Sequence, residues 1–187
     1  MKTLTISARL LFLIGFSVFF GCAPQTRVDL VYQPSGFRVS PCQKSLAIVT
    51  FTDERGKKVV GETQKGVPIH ANDSVSSWIS RAFYDELERS GCKVEYHDTG
   101  AVFDTDYMLT GVIKELNVIQ MSHTEYDARL RLNVVVQSAE QQVFIKEYVS
   151  TLSKKTLPSS KVPGEVLTEL LQGLIQEALS DLRDRLN

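Results

Sequence analysis

Few residues in this chain are of types that do covalent, metal or acid–base chemistry, and their spacing assembles no recognisable set. His70, His97 and His123 stand in three separate segments without a shared spacing, so they do not read as metal ligands. Ser90, Gly91, Cys92 and Lys93 fit a Ser-x-x-Lys pattern formally, but they straddle a helix end and lack a companion motif. HExxH, GxSxG, Walker, GxGxxG and EF-hand patterns are missing, and the many carboxylates are scattered. These residues read as a protein that is not an enzyme and needs no cofactor or metal. The enzymatic alternative is a hydrolase of cell-wall material, whose mark would be convergent carboxylates in a cleft.

The densest polar grouping is the stretch from Asp53 to His70. Arg55, Lys57, Lys58 and Lys65 make it locally basic, while Gly56, Gly61 and Gly66 let its backbone bend. At about 18 residues it is longer than most inert connections. It reads as a binding loop in which Asp53, Arg55, Lys57, Lys58, Gln64 and Lys65 meet a protein partner. A purely solubilising loop is the alternative.

The cysteines carry more information. Lys2 and Arg9 precede an apolar run from Leu10 to Phe20, about 11 residues long and short of the ~20 that span a bilayer. The run ends in Phe19, Phe20, Gly21 and Cys22. A small residue directly before a Cys here resembles the lipobox of bacterial lipoproteins, although Phe19 and Phe20 depart from the usual Leu and small residue. The resemblance implies that residues 1–21 are a signal peptide and that Cys22 becomes an acylated N-terminus. Several acyl chains anchor stably where one does not. Ala23, rather than Asp, implies release to the outer membrane, with the protein facing the periplasm. Residues 22–40 then form anchor, tether and a possible edge strand, and 41–187 form one domain.

Cys42 and Cys92 remain, in a compartment that permits disulfides. Each stands at the start of an expected strand, Ser45 to Phe51 and Cys92 to His97, with a helix between. Such a βαβ unit makes the two strands parallel neighbours, about 4.8 Å apart, with both cysteines at one end. That spacing suits a disulfide; two buried free thiols are the alternative.

Composition is ordinary for a globular chain: 187 residues, 43% hydrophobic and 23% charged. A formal net charge of -1 argues against nucleic acid as the partner. Leu46 to Phe51 is a continuous apolar run, as in a strand covered on both faces. Asn72 and Asp73 offer N-caps to a helix ending near Ser90, with Gly91 as its stop. Its stripe of Val75, Trp78, Ile79, Ala82, Phe83 and Leu87 should face a sheet.

Tyr107 to Ile119 forms a long strand with Gly111 as a candidate bulge. Tyr126 to Gln137 alternates cleanly, which sends Arg129, Arg131 and Asn133 to the face opposite the apolar set. Val143 to Leu152 pairs with it. A polar linker then leads to Pro163 and a closing helix with Leu167, Leu170, Leu171, Leu174 and Leu182 on one side. The order β-β-α-β-β-β-β-α predicts an α+β domain: a mixed sheet of five to six strands with two amphipathic helices on one face.

The run Ile48 to Asp53, followed by Arg55, Val60-Gly61 and Gln64-Lys65-Gly66, resembles the YajG-type outer-membrane lipoproteins. The order of helix, strands and closing helix is similar too. The likeness implies an envelope lipoprotein and adds location more than mechanism; the Asp53–His70 loop and the exposed sheet face point to a non-enzymatic binding or scaffolding component. Tyr107, Leu109 and Gly111, in a strand followed by a charged alternating strand and an amphipathic helix, more loosely resemble auxiliary lipoproteins of envelope ABC-type transport systems. That likeness implies, as the alternative, an accessory subunit of a lipid or solute transporter. Homo-oligomers are compatible with either reading.

Overall fold

The structure, a computed structural model, describes residues 26–35, 42–99, 104–138 and 141–186. Cys22 and the expected signal peptide lie outside the described residues. The elements run β1 (Thr26–Val28), β2 (Leu46–Val49), β3 (Thr52–Asp53), β4 (Val59–Glu62), β5 (Pro68–Ala71), α1 (Val75–Arg89), β6 (Val94–His97), β7 (Tyr107–Gln120), β8 (Glu125–Gln137), β9 (Gln142–Lys155) and α2 (Val162–Leu186). The class is the expected α+β with a mixed sheet, but nine strands are described where five to six were predicted. The added strands β3, β4 and β5 come from the stretch that reads as a binding loop. They are two to four residues long, too short for a pattern to mark them; β5 is held by β4 and β1, and β3 and β4 by the backbone of one neighbouring strand, which no local pattern signals.

That neighbour is β7. Along one edge it pairs antiparallel with β8 over its whole length, and β8 passes the ladder on to β9. Its other edge is shared by β2, β3 and β4 in succession, all parallel to it. Strand β6 extends β2, β5 extends β4, and β1 adds to β5. The register of β7 against β8 shifts between Ile113 and Glu115, so the bulge sits there and not at Gly111. Gly111 serves a different purpose. A Cβ there would lie 2.8 Å from the Phe51 ring and from the Asn133 carbonyl, and Phe51 fills that space on its way to Phe83, 5.3 Å between centroids.

Ser74, and neither Asn72 nor Asp73, caps α1: its hydroxyl accepts from the Ser77 amide at 3.3 Å. The two expected caps tie β1 to the helix start instead. Asp73 accepts from the Leu30 amide, and the Asn72 amide donates to Asp29. At the far end Gly91 turns the chain with φ +84°, and its amide reaches the Glu88 carbonyl. Strand β6 then runs parallel to β2 as expected, starting at Val94, two residues after Cys92.

Both helices bury their stripes in one core that also takes the inward side chains of β7 and β8. Leu130, Leu132, Val134 and Val136 of β8 are fully buried there; each such side chain contributes roughly 1.5–3 kcal/mol of hydrophobic free energy. Helix α2 is pinned over β9 by ion pairs from Lys146 to Asp181 and from Lys154 to Glu169. Cys42 and Cys92 are joined by a disulfide with Cα atoms 4.7 Å apart, which ties the approach to β2 to the approach to β6.

Candidate functional site

Among the described residues the sheet leaves one broad surface without a helix on it: the face of β7, β8 and β9 opposite α1 and α2. Strict alternation along β8 delivers Arg129, Arg131 and Asn133 to this face, as the sequence predicts. Pairing across the strands sets them in rows. Glu115, Arg131 and Val149 form one row, and Asn117, Arg129 and Thr151 form the next. Glu115 sits between the two arginines, 3.2 Å from Nε of Arg129 and 3.8 Å from Nε of Arg131. Both guanidinium side chains remain about half exposed, while the Arg131 Nε is buried without a hydrogen-bond partner.

A shallow hollow of about 350 Å³ opens beside them, with Asn117, Ile119, Asp127, Arg129 and Thr151 in its lining. Ser153 donates to Asp127 at 2.6 Å along its rim. Ile145 and Val149 of β9 are exposed on the same face. Facing guanidinium, carboxylate, amide and hydroxyl groups with apolar neighbours can recognise a protein surface.

The residues expected to contact a partner from the Asp53–His70 stretch do not come together. Arg55 is turned inward with its side chain 2% exposed, paired with Asp53 at 2.7 Å. Its guanidinium also donates to the carbonyls of Val59 and Leu116. Asp53 and Arg55 therefore hold the sheet together, and a partner cannot reach the arginine. Lys57 and Lys58 are exposed on the short excursion between β3 and β4. Gln64 and Lys65 are exposed at the β4–β5 turn, one strand length away.

The remaining residues of chemical interest are also dispersed. Among the described residues no group of three His, Cys, Asp or Glu side chains could hold a metal ion. His70 lies in β5, His97 ends β6 beside Glu95, and His123 is in the β7–β8 turn. The Ser90 hydroxyl donates to the Glu86 carbonyl and finishes α1, so the Ser-x-x-Lys match is a helix end.

Glu86 was missed by sequence reading. It is 1% exposed, and its Oε1 accepts from the Tyr32 hydroxyl at 2.7 Å and from the amide and hydroxyl of Ser35. Burial first, and this carboxylate second, push the Tyr32 phenol far above the usual tyrosine range. Its position between Phe83 and Leu87 on the apolar stripe was the available signal. The contact fastens residues 32–35 onto α1.

No family model matches this sequence, and no curated protein matches it, so the likeness to YajG-type lipoproteins remains one of a few short segments. Solved structures are similar in fold. A Xanthomonas campestris protein described by the family model DUF330 superposes with a TM-score of 0.57 at 13% identity, covering 85% of this chain and 95% of that one. A hypothetical protein from Chlamydia trachomatis gives 0.52 at 10% identity, with 74% and 95% covered. The PelC dodecamer from Paraburkholderia phytofirmans gives 0.51 at 13% identity, with 80% and 94% covered. At these identities the likeness is one of architecture.

Proposed function

We propose that this chain is a lipid-anchored protein of the bacterial envelope, held by acyl chains on Cys22 to the outer membrane and facing the periplasm. It acts there as a non-enzymatic binding or scaffolding component. The observation that carries the reading is the uncovered face of β7–β9, where Arg129 and Arg131 flank Glu115 over three long, rigid strands. Rigid strands position recognition groups better than loops do. The Gly21-Cys22 junction supplies the anchor, and a disulfide between Cys42 and Cys92 suits an oxidising compartment. A fold of this kind assembles as a dodecamer in PelC, so a second copy of the chain is the first partner to look for.

The test is crosslinking in native envelopes, followed by purification through a C-terminal tag. A product formed by the wild type and lost in Arg129→Glu/Arg131→Glu, with folding intact, supports the face as the docking surface. The same product from both proteins would remove it. In parallel, Cys22→Ala should release the protein from the membrane fraction, and continued membrane attachment would end the lipoprotein reading.

A further inference from the structure

The topology gathers four segments at one end of the sheet. Strand β1 starts there, because Thr26 pairs in parallel with Ile69 at the start of β5. The β4–β5 turn lies there, since Glu62 is in register with Ile119 near the end of β7 and the Gln64 amide meets the Gln120 side chain. The β7–β8 turn, residues 121–124, closes the same end. The chain leaving β9 joins it, the Thr156 amide donating to the Thr124 carbonyl at 2.8 Å.

Three of these four segments share a composition. Residues 63–67, 121–124 and 156–161 contain Lys65, His123 and Lys161 and not one carboxylate. Two large apolar side chains project from them: Met121 is 53% exposed and Leu157 is 83% exposed, the highest value among the exposed large hydrophobics. Lys155, 78% exposed, stands beside them, 3.7 Å from Glu125.

Chain length decides what this end meets. Three residues separate Cys22 from Thr26, and four residue steps of extended chain reach at most about 14 Å. That is less than the thickness of a folded domain. Resting on the proposed acylation of Cys22, we infer that this end of the domain is a bilayer-contact face. Met121 and Leu157 enter the interface between phospholipid headgroups and acyl chains, and Lys65, Lys155 and Lys161 meet the lipid phosphates. A tethered domain pays little entropy for such a contact, because the anchor already holds it at the surface. Apolar tips flanked by lysine stems are suited to that depth, with Glu125 beside Lys155 and Glu62 at the end of β4 bordering the face. The contact would also fix orientation: β7, β8 and β9 would stand away from the membrane and hold the Arg129–Arg131 face to the side.

The experiment uses the full chain, produced with its own signal and reconstituted in phosphatidylethanolamine–phosphatidylglycerol vesicles containing a brominated lipid. The native Trp78 is buried in the core, 5% exposed. Leu157→Trp and Met121→Trp report from the proposed face, and Ile145→Trp reports from β9 twelve residues before Leu157, about 33 Å or more along the strand. Flotation with the vesicles is scored separately from quenching. Flotation with tryptophan emission at 157 and 121 quenched several-fold more than at 145 supports the face. Flotation with equal quenching at all three sites overturns the face and leaves the lipid anchor standing. No flotation of the wild-type chain overturns the anchor and the face together.

Discussion

Arg55 and Leu116 are joined by a hydrogen bond of 3.3 Å, from guanidinium Nη1 to a main-chain carbonyl, at a point where the edge of β7 away from β8 has no strand beside it. Strand β3 pairs with Val112 and Ile113, and β4 pairs with Val118 and Ile119, so Leu116 falls in the interval. The same side chain holds the Val59 carbonyl and both oxygens of Asp53. One arginine thus completes a sheet edge that backbone alone leaves interrupted.

Removing it should be severe. Arg55→Ala leaves Asp53 and two carbonyls without their donor, and breaking a buried pair in this way costs about 3–5 kcal/mol. Arg55→Lys should recover only part of this, because an ammonium cannot fork between a carboxylate and two carbonyls. Lys57→Ala/Lys58→Ala, changing exposed neighbours, should stay within about 0.5 kcal/mol. Urea unfolding measures all three. A loss below 1 kcal/mol in Arg55→Ala would sink this account of the edge.

Two glycines of the same stretch should separate close packing from backbone conformation. A Cβ on Gly61 would lie 2.0 Å from the Val118 carbonyl oxygen, which is main chain and cannot turn aside. Gly66 has φ +71° and open space around it. Gly61→Ala should therefore cost several kcal/mol or prevent folding, whereas Gly66→Ala should cost about 1 kcal/mol of left-handed strain. Comparable urea midpoints for the two variants would contradict the structure.

This stretch also marks where sequence reading stopped. The apolar stripe of α1, the alternation of β8 and the parallel placing of β6 beside β2 are local patterns, and they emerge in the structure in that form. Of the three strands between Thr52 and Ala71, β3 and β4 exist because β7 offers them a hydrogen-bonding edge more than 40 residues away, and β5 pairs in turn with β4 and β1. Asp53 and Arg55 look like a surface motif for the same reason: nothing near them in sequence shows that the Leu116 carbonyl of β7 receives the guanidinium. Arg129 and Arg131 were placed correctly because a period of two settles the face without knowledge of the partner. Glu86 was legible as a carboxylate on an apolar stripe, but its partners Tyr32 and Ser35 lie more than 50 residues earlier.

The disulfide closes a separation of 50 residues. In the chain-entropy model a loop of that length contributes about 4 kcal/mol, through restriction of the unfolded chain. Cys42→Ser/Cys92→Ser should lose about this amount, and the reduced, alkylated protein should lose it too. Cys92 is 6% exposed, so alkylating it adds a packing penalty to that figure. Urea midpoints for the oxidised and reduced forms give the difference directly. Equal midpoints would mean that the bridge does not form in the isolated protein.

Stability should fall on the alkaline side because of two tyrosines. Tyr32 is held far above the usual range by burial and then by Glu86; Tyr148 is held there by burial and then by its hydrogen bond to Asp181. A phenol whose folded value is raised binds its proton more tightly in the folded chain. The stability this gives is fully present below the unfolded value near 10.0 and is lost as pH rises beyond it. On the acid side Asp181, held below the carboxylate range by Lys146 and Tyr148, works conversely. Its contribution is present above the unfolded value near 3.8 and is lost as pH falls through the lower folded one. Asp85, raised chiefly by burial, opposes that acid loss. The alkaline limb is therefore the cleaner test. Lysines also lose charge there, so the readout is the difference between the wild type and Tyr32→Phe/Tyr148→Phe in urea midpoints from pH 8 to 11. The double variant, whose rings cannot ionise in either state, should show a visibly shallower decline above pH 10. Parallel declines would show that these phenols do not govern the alkaline limit.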